Sequence, residues 1–147
     1  MLVFDTNVLI HAADEHSNLG ESCRRRLDDA RRDSAPAFLT WSVCYEFLRV
    51  STHSRVFRSP WRPSAAWGFL EQLLAAPGFD LLVATSRHSA VLTQTLAELP
   101  DLRGNVLHDA HIAVLMREHG VSRICTRDAG FQRFPFLTVL DPLGEWR

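Results

Sequence analysis

Short apolar runs alternate along this chain with stretches in which apolar residues recur every three or four positions. Residues 2–4 (Leu-Val-Phe) have the unbroken apolar character of a buried strand, and 6–13 follow as a helix. Leu19, Cys23, Leu27 and Ala30 share one face of an otherwise polar segment, which predicts an amphipathic helix over 19–32. Residues 37–39 are the second predicted strand, and Ser42 is placed to cap a helix running to about Ser51. The stretch 52–62 breaks the periodicity and is predicted as a loop. A helix capped by Ser64 follows and stops before Pro77. A third strand is expected at 81–83 and a helix at 87–98. Gly104-Asn105 opens a further helix over 106–119, and Gly120 takes the left-handed position that closes it. Residues 123–125 are the fourth strand, 129–131 a short helical turn, and 137–139 the fifth strand.

Five apolar strands separated by helices predict an α/β fold of three α/β/α layers around a five-stranded parallel sheet. Periodicity does not give the strand order. No repeat or linker interrupts the pattern, so 1–147 is read as a single domain, long enough to bury a proper core. In sheets of this kind the functional site lies beyond the carboxyl ends of the strands.

Composition narrows the chemistry. No apolar run is long enough to span a bilayer, and Leu2–Phe4 lead directly into Asp5 without a basic leader, so a cytoplasmic protein is expected. Cys23, Cys44 and Cys125 are odd in number and lie among apolar neighbours, as reduced, packed thiols do. All 16 basic residues are arginine, and the net charge is −1, which argues against coating nucleic acid by bulk charge. The absence of lysine excludes a phospho-receiver, which needs one beside its Asp, and a P-loop nucleotide site. Asn7 stands where an aspartyl-phosphate phosphatase needs its second Asp.

Four acids stand out. Asp5 and Asp128 each follow a predicted strand and reach the same rim of a parallel sheet; each could also be a simple helix cap. Glu46 lies among Val43, Cys44, Tyr45, Phe47, Leu48 and Val50, which predicts a mostly buried helix and a costly charge, unless it pairs with Arg49. Asp109 stands in the first turn of a helix whose apolar face continues through Ile112, Ala113 and Met116, a position that also suits the helix dipole. Carboxylates gathered at one rim raise one another's pKa, and a hard divalent cation would relieve them. Oxygen-only ligands point to Mg²⁺ or Mn²⁺, and such a cation would activate water for attack on a phosphodiester.

Phe4-Asp5-Thr6-Asn7, Glu46, the segment Asn105-Val106-Leu107-His108-Asp109-Ala110-His111, and Thr126-Arg127-Asp128 resemble the motifs of the PIN-domain nucleases, and more narrowly the VapC toxins of bacterial toxin–antitoxin pairs. The ending from Asp128-Ala129-Gly130-Phe131 through Phe134-Pro135 to Asp141-Pro142-Leu143 is similar to that family too. The resemblance implies strand order 3-2-1-4-5, Mg²⁺-dependent endonucleolytic cleavage of RNA, a homodimer and a VapB-type antitoxin. It maps the family's acidic positions onto Asp5, Glu46, Asp109 and Asp128 as catalytic and metal-holding residues. Thr6, Asn7 and Thr126 match the small polar residues that orient them. A nuclease acting on other nucleic acid, or a catalytically weak partner-binding copy, are the alternatives.

Arg127 is a candidate phosphate contact at the edge of the site. Arg55, Arg58, Trp61 and Arg62 form a basic, aromatic-bearing segment able to grip RNA, an acidic antitoxin segment, or neither. His108 and His111 are read as packing or capping residues, and His11 as a bland helix residue. Arg24, Arg25, Arg26, Arg31 and Arg32 share a helix with Asp28, Asp29 and Asp33, which predicts a solvated, salt-bridged face.

Overall fold

The three-residue run Leu2–Phe4 is fully apolar because it becomes the central strand of the sheet, β1, where both faces are covered. The structure, a computed structural model, describes residues 1–146. The other strands are β2 (Ala37–Thr40), β3 (Phe79–Leu82), β4 (Arg123–Cys125) and β5 (Thr138–Leu140). All pairings are parallel and the order is β3-β2-β1-β4-β5, as the family resemblance implies. The helices are α1 (Thr6–Ala13), α2 (Gly20–Arg32), α3 (Trp41–Ser51), α4 (Pro63–Leu74), α5 (His88–Glu98) and α6 (Val106–Glu118). Helix α1 packs against α2 and α3, α3 against α4, and α5 against α6. Val3, Phe4, Val8, Leu9, Leu39, Phe47, Met116 and Ile124 are fully enclosed in one continuous core. Cys23, Cys44 and Cys125 are free, buried thiols, and burial pushes Cys44 up to about 11. Among the described residues no helix is long and apolar enough to cross a membrane.

Several boundaries differ from the sequence reading, each for a local reason. Helix α3 is capped by Thr40, whose hydroxyl accepts the Val43 N–H at 3.2 Å, rather than by Ser42. Helix α4 starts with Pro63 at its first position and Arg62 as its cap, so Ser64 is already inside it. Strand β3 begins at Phe79, not Leu81. Phe79 stacks on Phe4 with ring centroids 5.8 Å apart, and Asp80 is tolerated because β3 is an edge strand that leaves it exposed. Strand β5 sits one residue later than expected, pinned by Thr138 N–H donating to the Ser122 carbonyl. Gly120 takes φ +67 after α6, and the Val121 N–H returns to the Met116 carbonyl at 2.9 Å.

One buried carboxylate lies far from the expected site. Glu118, 2% exposed at the end of α6, accepts the Thr85 N–H at 2.9 Å, the Thr85 hydroxyl at 2.8 Å and His88 Nδ1 at 2.5 Å. Arg87 donates to its backbone carbonyl. This knot ties α6 to the β3–α5 connection. Burial alone would raise the Glu118 pKa; the hydrogen bonds from His88 and Thr85 outweigh it and hold the carboxyl below its usual range. Glu118→Ala strands these half-buried donors and is expected to cost about 2–3 kcal/mol, a Tm drop of roughly 5–10 °C by thermal melt. The stabilisation is complete above the unfolded carboxyl pKa of about 4.3 and is lost as pH falls through the lower folded value.

Candidate active site

Placing β1 between β2 and β4 means the chain leaves β1 for one side of the sheet and later returns on the other. The carboxyl ends of β1, β2 and β4 thus meet around a switch point, where α/β sheets bind ligands. Asp5 is the first residue past β1, and its N–H donates to the Cys125 carbonyl of β4 at 3.0 Å. Its side chain is 7% exposed and accepts three hydrogen bonds. Oδ1 takes the Thr6 N–H at 2.7 Å, capping α1; Oδ2 takes Asn7 Nδ2 at 2.8 Å and the Thr126 hydroxyl at 2.6 Å. Burial raises the Asp5 pKa, the bonds from Thr126 and Thr6 oppose it, and the Glu46 and Asp128 charges add to the rise; the net direction is up.

Thr126 is the hub of this network. While donating to Asp5, its oxygen accepts Asn7 Nδ2 at 2.9 Å and the Asp128 N–H at 2.9 Å. Asn7 Oδ1 in turn accepts the Arg127 N–H at 3.1 Å. Asp128 Oδ1 accepts the Gly130 N–H at 2.7 Å and so caps the 3-10 turn Ala129–Arg133. Thr6 donates its hydroxyl to Glu46 Oε2 at 3.2 Å, linking α1 to α3.

Asp5, Glu46, Asp109 and Asp128 line one cleft of ≈ 750 Å³. A smaller adjoining hollow is lined by the same four together with Thr6, Asn7 and His11. The structure therefore brings the four acids together. It corrects the reason for singling out Glu46: α3 buries Val43, Cys44 and Phe47 but turns Tyr45 and Glu46 outward, so Glu46 is exposed. Its Oε1 lies 3.7 Å from Arg49, the pairing that the spacing had left open. Asp5 carries the burial that Glu46 lacks. Asp128 is exposed, and Asp109 is half-buried. Asp109 is pushed up to about 6, first by desolvation, then by the Asp128 and Asp5 charges; Arg133 opposes and Glu46 adds.

The arginines at the cleft are Arg49 and Arg133, neither singled out as a substrate contact from the sequence. Arg127 lies off its walls, with its guanidinium 3.6 Å from Asp141. Arg55, Arg58 and Arg62 are also outside both hollows. Their segment is anchored by Phe57 and Trp61, whose rings pack edge-on to one another and turn inward, Trp61 against Phe47 and Phe69, so the arginines face solvent. Trp61 is thus a packing residue. His108 is exposed and lines the cleft, contrary to the packing role expected, and His111 is exposed beside His88 with ring centroids 5.8 Å apart. His11 also reaches the smaller hollow, with Nδ1 2.7 Å from the Ser17 hydroxyl.

Gly130 is a site residue that the sequence did not flag. A Cβ there would stand 2.9 Å from Asp128 Oδ1 and 3.3 Å from Asp109 Oδ2. Gly130→Ala is expected to displace the Asp128 carboxylate and cut turnover about tenfold or more, with Tm within a few degrees of the parent. Steady-state cleavage assays beside a thermal melt check this.

Among the described residues no three His, Cys, Asp or Glu side chains converge closely enough to hold a metal ion by themselves. The donor set nonetheless fits one kind of ion. Mg²⁺ keeps several waters and binds through one or two carboxylates plus substrate phosphate, and this cleft offers carboxylates without a thiolate ligand.

The PIN domain family model matches residues 2–137. Ribonuclease VapC43 of Mycobacterium tuberculosis is 37% identical over 97% of this chain and 96% of its own. The VapBC2 complex of Rickettsia felis, solved bound to a DNA fragment from its promoter, contains a chain of like fold at 15% identity and a TM-score of 0.67, over 95% of this chain and 96% of that one. VapC20 of Mycobacterium tuberculosis, described as a Sarcin-Ricin loop cleaving toxin, matches at 16% identity and 0.62 over 90% and 93%. With the acidic cleft at the switch point of the sheet, these matches place the chain in the PIN-domain family, within its branch of VapC ribonucleases.

Proposed function

We propose that this protein is a Mg²⁺-dependent endoribonuclease, the toxin of a VapBC-type pair, acting in the cytoplasm as a homodimer silenced by a VapB-type antitoxin. The observation that carries the chemistry is the net negative charge of the cleft, where four carboxylates face only Arg49 and Arg133. Asp109 remains raised to about 6 despite Arg133, and Asp5 is raised although three donors serve its carboxylate. The names of the relatives, ribonucleases and VapBC complexes, support the substrate and the partner.

Asp5, Glu46, Asp109 and Asp128 are the carboxylates from which the cation would draw its protein ligands, with water and substrate phosphate completing its shell. When bound, it supplies Lewis-acid stabilisation of the charge growing on the phosphodiester and acidifies a bound water. The remaining work belongs to the chain. Thr126, Asn7 and the Thr6 N–H fix the Asp5 carboxylate in one orientation, and the Gly130 N–H does the same for Asp128. The Thr6 hydroxyl orients Glu46. Arg49 and Arg133, on the cleft wall, offer planar donors to substrate phosphate.

Structured RNA and single-stranded DNA, each incubated with the purified protein in Mg²⁺ and in EDTA, test the reading. Internal cleavage of RNA that EDTA stops is the expected result. EDTA-resistant cleavage, or cutting of DNA alone, would overturn it.

A further inference from the structure

Aromatic side chains at 45% and 70% exposure ask for an explanation, because neither ring gains much from the core. Trp41 and Tyr45 are these residues. They stand one helical turn apart on α3, with ring centroids 6.4 Å apart. Behind Trp41, Trp67 of α4 stacks at 6.1 Å with the planes 21° apart, so the outer rings rest on a fixed base. The row continues along the same face: Arg49 stands a further turn beyond Tyr45. Tyr45 and Arg49 both line the cleft that holds the four acids. A half-stacked row of rings thus runs over the surface and ends, with a guanidinium, at the acidic centre.

We propose that Trp41 and Tyr45 form a stacking ladder for unpaired bases of the RNA strand entering the cleft, with Arg49 meeting its backbone. This rests on the ribonuclease reading above and adds to it the residues that position the substrate. Exposed rings accept any base face, and stacking of this kind is tolerant of sequence, while arginine supplies the phosphate contact. Continuity with the acid-lined cleft is what favours RNA over a protein occupant. The ladder therefore sets how tightly single-stranded RNA is held and which phosphodiester is presented, and leaves the bond-breaking step to the acids. Trp61, by contrast, is packed inside and has no such part.

The test separates binding from cleavage. Quenching of tryptophan fluorescence by a single-stranded RNA dodecamer, and by the same strand in a duplex, is followed with Ca²⁺ in place of Mg²⁺. Cleavage is measured separately in Mg²⁺. The expected result is that Tyr45→Ala and Trp41→Ala each weaken single-strand binding about tenfold. KM rises by a similar factor with kcat nearly unchanged, and Tyr45→Phe, which keeps the ring, restores both. Duplex binding changes little. Single-strand affinity within twofold of the parent in both alanine variants would overturn the ladder. So would intact RNA binding with lost dimerisation or lost antitoxin association, which would assign the face to a protein. A parent protein that binds the dodecamer through these rings yet cuts nothing in Mg²⁺ or Mn²⁺ would leave the ladder standing and sink the nuclease reading.

Discussion

Asp5→Asn is expected to lower RNA cleavage by at least ~10³-fold, because it removes the one deeply buried carboxylate of the cleft. The substitution is nearly isosteric, but its amide nitrogen is a donor. Oδ2 of Asp5 now accepts both Asn7 Nδ2 and the Thr126 hydroxyl, so a donor at that position faces two donors. Asn7 cannot turn its oxygen toward position 5 without giving up the Arg127 N–H. That mismatch costs about 1–3 kcal/mol. Removing a buried charge that burial and the neighbouring acids disfavour offsets part of it. The fold should therefore survive, with an unchanged circular dichroism spectrum and a Tm within several degrees of the parent. Wild-type turnover in Asp5→Asn would contradict the assignment; loss of turnover through unfolding would show as a lost spectrum.

The second large effect is on stability in the absence of metal. Asp109 is raised from 3.8 to about 6. A carboxyl raised in this way binds its proton more tightly in the native than in the unfolded state. Its contribution is full below the unfolded pKa, near 3.9, and is lost as pH rises through about 6. In EDTA, Asp109 should lower Tm between pH 4.5 and 7.5, opposite to the trend set by a paired surface carboxylate. After solvent screening the change is about 1–2 kcal/mol, roughly 3–6 °C. Asp109→Asn should flatten this slope and melt higher than the parent at pH 7.5. Glu118 does not confuse the window, since its opposite contribution is already complete above pH 4.5. Mg²⁺ should raise the parent's Tm more at pH 7.5 than at pH 5, because protons compete for the same oxygens. His11 and His111, held below the usual imidazole range by burial, oppose the trend but are common to both proteins. An Asp109→Asn slope equal to the parent's, or a less stable Asp109→Asn at pH 7.5, would therefore contradict it.

Much of this was legible in the sequence, for definable reasons. Runs such as Leu2–Phe4 and Arg123–Cys125 are short and apolar because they lie inside the sheet, so their positions could be read directly. Edge strands read less well. Asp80 inside β3 breaks the apolar run, and only the stacking of Phe79 on Phe4 reveals that the strand starts earlier. The acids could be named from spacing, but their environments could not. Apolar neighbours suggested that Glu46 was buried, yet of those neighbours only Val43, Cys44 and Phe47 turn fully inward, and Glu46 lies with Trp41, Tyr45 and Arg49 on the exposed part of the helix surface. Asp5, plausible as a mere cap, is a cap and the most enclosed of the four cleft acids as well. That Arg55, Arg58 and Arg62 lie outside the cleft could not be read from the sequence, because Phe57 and Trp61 fix which way their loop turns, a tertiary fact with no local signature. Gly130 is needed for closeness to two carboxylates, and a glycine in a turn gives no sign of that.

Whether the carboxylates of the cleft bind a hard divalent cation is read from Mn²⁺, whose free-ion paramagnetic resonance signal is lost on binding. Binding by the parent protein is expected at pH 7.5, with weaker binding at pH 5 and none in the Asp5→Asn, Asp109→Asn double variant. Parent protein that leaves Mn²⁺ free at millimolar concentration, or a double variant that binds it as the parent does, would rule out a cation site built on these acids.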